Sequence, residues 1–465
     1  MRLSRLHIAA ALAGLLLSLP CYPAEGAAQP GWRFDFGSSE AAEGYTAVLP
    51  DTRYTDALGY GFEGPAEPEA VIRKKGDALT RDFVTASGVF KFSVKLPKGN
   101  YRVTITLGDP EGTSLTTVKA EERRLMAERI ATARKETVTC TFTVNIRTPE
   151  LSPGNTMKLD VREWDPDTDL PVTATWDDRL TLRFSDMQPC VAAVTITPVA
   201  DVVTVFLIGD STVTDQVTEP YGTWGQHLTR WFKPTVSVAN HAESGQTAKG
   251  FRFQRRWDKV TDQIKPGDYV FMQFGHNDLN RNGHDAMWPV DDHAGNWINT
   301  YADALTDYKW LLATYALEVE RMGGIPVIVT PMTKLNMQTG EANIEGMRDY
   351  PQGAREAAEL AGCALIDLNR MSVELAAGLG TEAAPKAYVE GLHSTTYGGY
   401  LFARCIVEGI RAALPELAAH LTDDAGTFDT AHPSPTPAEF LIPADPTVQV
   451  PAPPGMRQFF NFQQK

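Results

Sequence analysis

Ser211 stands in the run Gly209-Asp210-Ser211-Thr212-Val213, directly after the apolar stretch Val203-Thr-Val-Phe-Leu-Ile208. A serine at the carboxyl end of a central parallel strand lies at the crevice where open α/β sheets bind ligands. Its oxygen is accessible there, and its N–H is free to face an oxyanion. Far along the chain, Glu390-Gly-Leu-His393 offers a histidine able to take a serine proton and return it to a leaving group, with a carboxylate to hold its ring. Two loops lie between. In Asn240-His-Ala-Glu-Ser-Gly-Gln246, Gly245 lets backbone approach a substrate and its N–H donate to a developing charge. In Gly275-His276-Asn277-Asp278, the Asn277 amide is a neutral donor suited to an oxyanion and Asp278 can fix the loop. Each motif alone reads equally as a turn or a helix cap. Together they follow one order, each after an apolar strand-like run or before the last helical run, and they supply a serine nucleophile, a histidine base and oxyanion donors.

The elements that must carry these residues come in two textures. From Trp32 to about Val199, short alternating segments such as Phe90–Leu96, Tyr101–Leu107, Thr139–Ile146 and Leu180–Phe184 are separated by Gly, Pro, Asn and Asp, which predicts an antiparallel β-sandwich. Within it, Val118 to Ala133 is rich in Glu, Arg, Ala and Leu, and propensity alone leaves helix and strand open. From about Val202 the apolar runs become continuous: Val203–Ile208, Tyr269–Phe274, Ile325–Val329 and Ala364–Ile366, with helical patterns between them, notably Tyr301 to Met322. Strands buried on both faces and alternating with helices predict a parallel, doubly wound α/β domain. After about Leu421 the sequence turns Pro-rich and reads as an extended tail without its own core. No internal repeat is present.

A chain of 465 residues fits two domains, each able to bury a core. Arg2 and Arg5, an apolar run from Ile8 to Leu19 and the small residues around Gly26 to Ala28 have the layout of a secretory signal peptide, too short to span a bilayer. The expected mature protein is exported, to the periplasm or beyond, and carries no membrane anchor. It keeps Cys140, Cys190, Cys363 and Cys405, an even set that permits disulfides without fixing their pairing and that shows no metal-ligand spacing. Net charge is −15, a poor field for nucleic acid or an anionic membrane surface.

The four motifs in this order resemble the sequence blocks of the SGNH (GDSL) hydrolases, named for Ser, Gly, Asn and His. The resemblance implies Ser211 as nucleophile, His393 as general base and Glu390 as the orienting acid. The oxyanion hole would be made of the Ser211 N–H, the Gly245 N–H and the Asn277 side chain, and no metal or organic cofactor is needed. Gly222-Thr-Trp-Gly-Gln226, Phe274-Gly-His-Asn-Asp278, Pro326-Val-Ile-Val-Thr-Pro331 and Leu365-Ile-Asp-Leu-Asn369 narrow it towards rhamnogalacturonan acetylesterases. Phe34-Asp-Phe-Gly and Gly59-Tyr-Gly-Phe-Glu63 resemble the β-domain that precedes the esterase in long bacterial members. The implied layout is a signal peptide over 1–28, a galactose-binding-like β-sandwich over 29–200, a flavodoxin-like three-layer α/β/α esterase domain over 201–421, and the tail over 422–465. Two positions depart from the family pattern. The family usually has aspartate where this chain has Glu390, and two glycines where this chain has Glu243-Ser244-Gly245.

The expected reaction is removal of O-acetyl groups from a plant cell-wall polysaccharide, with acetylated rhamnogalacturonan first and another glycan such as xylan second. A carbohydrate-binding protein with an inactive esterase domain is the rival from another class. Asp278, Trp224, Arg252 and Arg255 are candidate substrate-binding residues, with Lys249 and Arg256 in the same basic stretch and Trp288 and Trp297 as further stacking candidates. A solvated helix face is the plainer role for the arginines, and core packing the plainer role for Trp224.

Overall fold

The computed structural model describes residues 31–151, 176–279 and 300–445, together with the short strand pieces 164–165, 170–171, 290–291 and 297–298. The N-terminal strands are β1 (Trp32–Phe36), β2 (Thr46–Val48), β3 (Tyr60–Glu63), β4 (Glu69–Ile72), β5 (Asp82–Thr85), β6 (Phe90–Lys95), β7 (Gly99–Leu107), β8 (Ser114–Ala120), β9 (Arg124–Thr132), β10 (Val138–Ile146), β11 (Arg179–Gln188) and β12 (Val191–Pro198). They form two sheets. One runs β10-β7-β12-β1-β2, with β5 added on β12 and β4 on β5; the other runs β3-β6-β11-β8-β9. Alternation explains the faces: Tyr101, Val103, Ile105 and Leu107 on β7 point inward while the residues between them are half-exposed. Phe34 and Phe36 from one sheet meet Phe92 of the other edge-to-face at 5.1 and 4.8 Å, which makes the sandwich core aromatic.

The segment from Val118 to Ala133 is a β-hairpin, β8 and β9, and not a helix. Pairing of β8 with β11 and burial of charged side chains in ion pairs override its helical composition. Its tip is tight, with Glu121 and Arg123 at φ +54° and +63°.

The second domain is built on five parallel strands: β13 (Val203–Gly209), β14 (Val236–Asn240), β15 (Tyr269–Gln273), β16 (Ile325–Val329) and β17 (Ala364–Ile366), ordered β14-β13-β15-β16-β17. Helices cover both faces. The flanking set includes α1 (Trp224–Leu228), α2 (Ala248–Phe253), α3 (Arg256–Thr261), α4 (Lys309–Arg321), α5 (Tyr350–Ala361), α6 (Leu368–Ala383) and α7 (Thr396–Ala413). One core, with Leu207, Phe271, Val329 and Ile406, fills one side; the other, with Ile208, Met272, Tyr315 and Ala354, fills the opposite side. The order reverses between β13 and its neighbours, so the crevice opens beyond the carboxyl ends of β13 and β15.

Beyond α7 the proline-rich chain runs across both domains. Phe440 packs edge-on against Tyr397 and Tyr400 of α7, at 5.3 and 5.4 Å. Further on, Lys119 of β8 donates to the Pro443 carbonyl at 2.9 Å and to Asp445 at 3.1 Å. Arg123 and Arg183 also face Asp445, at 3.6 and 3.7 Å. Burial raises the Asp445 carboxyl, but the three cations outweigh it and hold the group below the usual carboxylate range.

The four cysteines are all unbonded. No helix among the described residues is long and apolar enough to cross a membrane, and no group of three or more His, Cys, Asp and Glu side chains among them could hold a metal.

Candidate active site

β13 ends at Gly209, where no side chain fits: a Cβ would lie 2.5 Å from the Gln273 carbonyl and 2.8 Å from Val213. The next residue locks the turn. Asp210 Oδ1 accepts the Thr212 N–H at 2.9 Å and the Thr212 hydroxyl at 2.7 Å, while Oδ2 lies 3.2 Å from His276 Nδ1. Burial raises the Asp210 carboxyl, but His276 and Thr212 outweigh it and the group stays low. The other His276 nitrogen lies 3.1 Å from the Met332 carbonyl, so this ring ties the β13 turn to the loop after β15.

The turn presents Ser211 Oγ 2.8 Å from His393 Nε2. His393 Nδ1 lies 2.6 Å from Glu390 Oε1, and the same oxygen accepts the His393 backbone N–H at 3.0 Å. The extra methylene of Glu390 is thus taken up by a local turn that holds the carboxylate under the ring. Burial raises the Glu390 carboxyl; the hydrogen bonds and charge of His393 outweigh it and keep the group below the ordinary glutamate value. Ser211 is only 4 % exposed, so the hydroxyl is recessed and not displayed at an open strand end.

Gly245 has φ +74°, in the left-handed region that favours glycine. Asn277 Nδ2 donates to the Gln246 carbonyl at 3.0 Å, which joins the loop after β15 to the Gly245 loop. Among the described residues, neither the Ser211 N–H nor the Gly245 N–H meets an acceptor. Unsatisfied N–H groups beside a nucleophile are what an oxyanion site keeps in reserve.

The structure gives all four candidate substrate contacts partners within the protein. Trp224 is fully buried, packed in the sheet core with Nε1 donating to Gln273 at 2.9 Å, and has no face to offer a sugar. Asp278 is fully buried, its oxygens accepting the Ala248 and Gly275 N–H groups at 2.9 and 3.0 Å, so it braces the loops and does not meet substrate. Burial pushes it up to about 8. Arg252 grips Glu318 with both terminal nitrogens, at 3.2 and 2.7 Å, over the Tyr315 ring. Arg255 pairs with Asp258 at 2.8 Å and buried Arg256 with Glu243 at 3.3 Å. Spacing showed the positive charges of this stretch but not Glu318, 66 residues further on, which meets Arg252. Lys249 is half-buried; Trp288 and the side chain of Trp297 lie outside the described residues.

Other residues frame the site without having been singled out by sequence. Tyr221 sets its ring edge against His393, centroids 5.9 Å apart at 76°. Gln216 Nε2 donates to the Ser211 carbonyl at 2.8 Å. Arg123 and Arg124, at the β8–β9 tip, reach the loop that holds both. The only signal they gave was a dense charged run, Glu121-Glu-Arg-Arg124, in a β-domain.

Two family models match the chain. Residues 207–398 match the model of the GDSL-like lipase/acylhydrolase family, and residues 32–145 match that of the beta-agarase/YXIM esterase-like, galactose-binding domain-like family. The uncharacterized esterase YxiM of Bacillus subtilis is 26 % identical over 400 residues, covering 83 % of this chain and 92 % of that protein. The probable rhamnogalacturonan acetylesterase YesY of the same organism is 28 % identical over 226 residues, 47 % of this chain and 95 % of that one. The crystal structure of YxiM aligns at a TM-score of 0.40 and 24 % identity, covering 82 % of this chain and 98 % of that one.

Proposed function

We propose, from the premise that this chain is an SGNH-family esterase with a GDSL-like lipase/acylhydrolase domain at residues 207–398 and a galactose-binding-like domain before it, that it removes O-acetyl groups from acetylated plant cell-wall polysaccharide. Rhamnogalacturonan is the preferred substrate in this reading, because the probable rhamnogalacturonan acetylesterase YesY is alike over nearly its whole length. The observation that carries the chemistry is the run of contacts from Ser211 Oγ to His393 Nε2 at 2.8 Å and from His393 Nδ1 to Glu390 at 2.6 Å.

Ser211 attacks the acetyl carbonyl as its proton passes to His393 Nε2, and Glu390 stabilises the imidazolium that forms. The oxyanion meets the Ser211 and Gly245 N–H groups and the second N–H of the Asn277 amide. His393 then gives its proton to the sugar oxygen as the C–O bond breaks, so that it leaves as a hydroxyl, and water repeats the sequence to release acetate. The enzyme acts outside the cytosol, after cleavage of its leader.

Acetate release from a panel of acetylated rhamnogalacturonan, other acetylated pectins and acetylated xylan tests this. Rhamnogalacturonan is expected to give the highest kcat/KM; a preference for xylan would reassign the substrate. Ser211→Ala is expected to lose activity by roughly a millionfold, as loss of a triad nucleophile does. More than about a tenth of turnover remaining in that variant would remove Ser211 from the mechanism.

A further inference from the structure

Given Ser211 and His393 as the catalytic pair proposed above, on which this rests, we propose that the β-domain completes the active site. Arg123 and Arg124, at the tip of the β8–β9 hairpin, are positioning residues that hold the loop 215–221 and, through it, His393 and the Gly245 loop.

The Arg123 side chain is 3 % exposed. Its Nη1 donates to the carbonyls of Tyr221 at 2.9 Å and Gln216 at 3.3 Å; its Nη2 donates to Glu219 at 2.5 Å and to the Thr396 hydroxyl at 3.1 Å. A planar fork with several fixed donors suits this set of acceptors; an ammonium cannot span them. The acceptors belong to the two segments that flank His393. Gly222 donates to the Ser394 carbonyl at 3.0 Å, Ser394 Oγ returns a bond to Gly222 at 2.6 Å, and Thr396 donates to Pro220 at 2.9 Å. Loop and histidine segment are therefore stitched together, with the guanidinium at the seam and the Tyr221 ring against the imidazole.

Arg124 serves the other side. Its Nε donates to Asp215 Oδ2 at 2.7 Å, both side chains 1 % exposed. Asp215 Oδ1 accepts from Asn240 Nδ2 at 2.8 Å, and Asn240 opens the segment that leads to Gly245. Between the two arginines Gln216 holds the Ser211 carbonyl. The hairpin tip thus reaches the Ser211, Gly245 and His393 segments within two side-chain steps. The positive φ at Glu121 and Arg123 marks a tip held in an uncommon conformation by these contacts.

The alternative is that the arginines only fasten one domain to the other. Asn100 separates the two, since its amide also bridges the domains, to Thr204 at 3.1 Å, but at the end of β13 away from Ser211. The test uses the full chain and a small aryl acetate that cannot reach the β-domain, reading kcat, KM and melting temperature. Misplacing a catalytic group by about 1 Å costs on the order of a hundredfold. Arg123→Ala is therefore expected to lower kcat at least tenfold with KM within about threefold, and millimolar guanidinium is expected to restore part of it. Arg123→Lys should fall between, and Asn100→Ala should keep its kcat. Parental kcat in Arg123→Ala alongside a lowered melting temperature overturns the proposal in favour of simple fastening. Should Arg123→Ala not fold, Arg123→Lys and Glu219→Gln decide in its place, and parental kcat in both overturns it. Ser211→Ala, run in parallel, keeps the two ideas apart: activity in that variant sinks the catalytic pair whatever Arg123 does.

Discussion

At the scale of single residues, Glu390 must fold one methylene more than an aspartate into the space beneath His393. It does so with one oxygen taking both the ring and the backbone N–H, while its side chain stays about half exposed at 48 %. Charge and reach can be separated here. Glu390→Gln is expected to lower kcat roughly a hundredfold to ten-thousandfold, because an amide neither stabilises the imidazolium nor fixes the tautomer. Glu390→Asp keeps the charge and should lose much less; an Asp variant as poor as Gln would mean that placement, not charge, dominates. His241 makes a different point. It lies in the same loop as Gly245, yet both ring nitrogens are buried without a hydrogen-bond partner, between the Phe206 and Trp176 rings. Burial, then the Arg147, Lys259, Arg124 and Arg256 charges, push its pKa well below the usual histidine range. The folded state therefore refuses a proton that the unfolded chain takes up below about pH 6.5. Its stability contribution is present above that pH and lost as pH falls. His241→Leu should flatten the acid limb of a urea-midpoint profile by about 1.4 kcal/mol per pH unit; an unchanged slope between pH 7 and 5 would show that the ring already titrates in the fold.

At the scale of elements, Trp224 shows how a residue type can point the wrong way. Beside a catalytic block a tryptophan suggests a sugar platform, but α1 turns this one under the sheet. Trp224→Phe is expected to cost about 1–3 kcal/mol in denaturant unfolding, since Gln273 loses its donor in a dry site, with KM unchanged. A raised KM without loss of stability would return Trp224 to the substrate. The parallel strands were legible because burial on both faces leaves an unbroken apolar run, as at Val203–Ile208. The Ser211, Gly245, Asn277 and His393 blocks were legible because each follows such a run or precedes α7. The β8–β9 hairpin was not, for a physical reason. Its Glu and Arg residues favour helix locally and are overruled by carboxylates and carbonyls from the second domain, among them Asp215 and Glu219. Partners far away in sequence leave no local periodicity, and the same holds for Arg252 with Glu318.

At the scale of the whole molecule, the described chain from Gly31 onward is one compact unit, and the C-terminal strap crosses it from α7 to β8. Asp445, at 7 % exposure, sits among Lys119, Arg123 and Arg183. Breaking a buried pair by neutralising one partner strands the other charge, so Asp445→Asn is expected to cost about 3–5 kcal/mol. A urea midpoint like the parent's would show the strap to be ornamental. The order of the chain gives this contact a further meaning. Lys119 emerges from the ribosome 326 residues before the carboxylate that neutralises it. Domains tend to fold as they are synthesised, but this sandwich waits for its last counter-charge until residue 445 has been made. A chain that ends after the second domain but short of residue 445 carries Lys119, Arg123 and Arg183 at the seam without the carboxylate that faces all three.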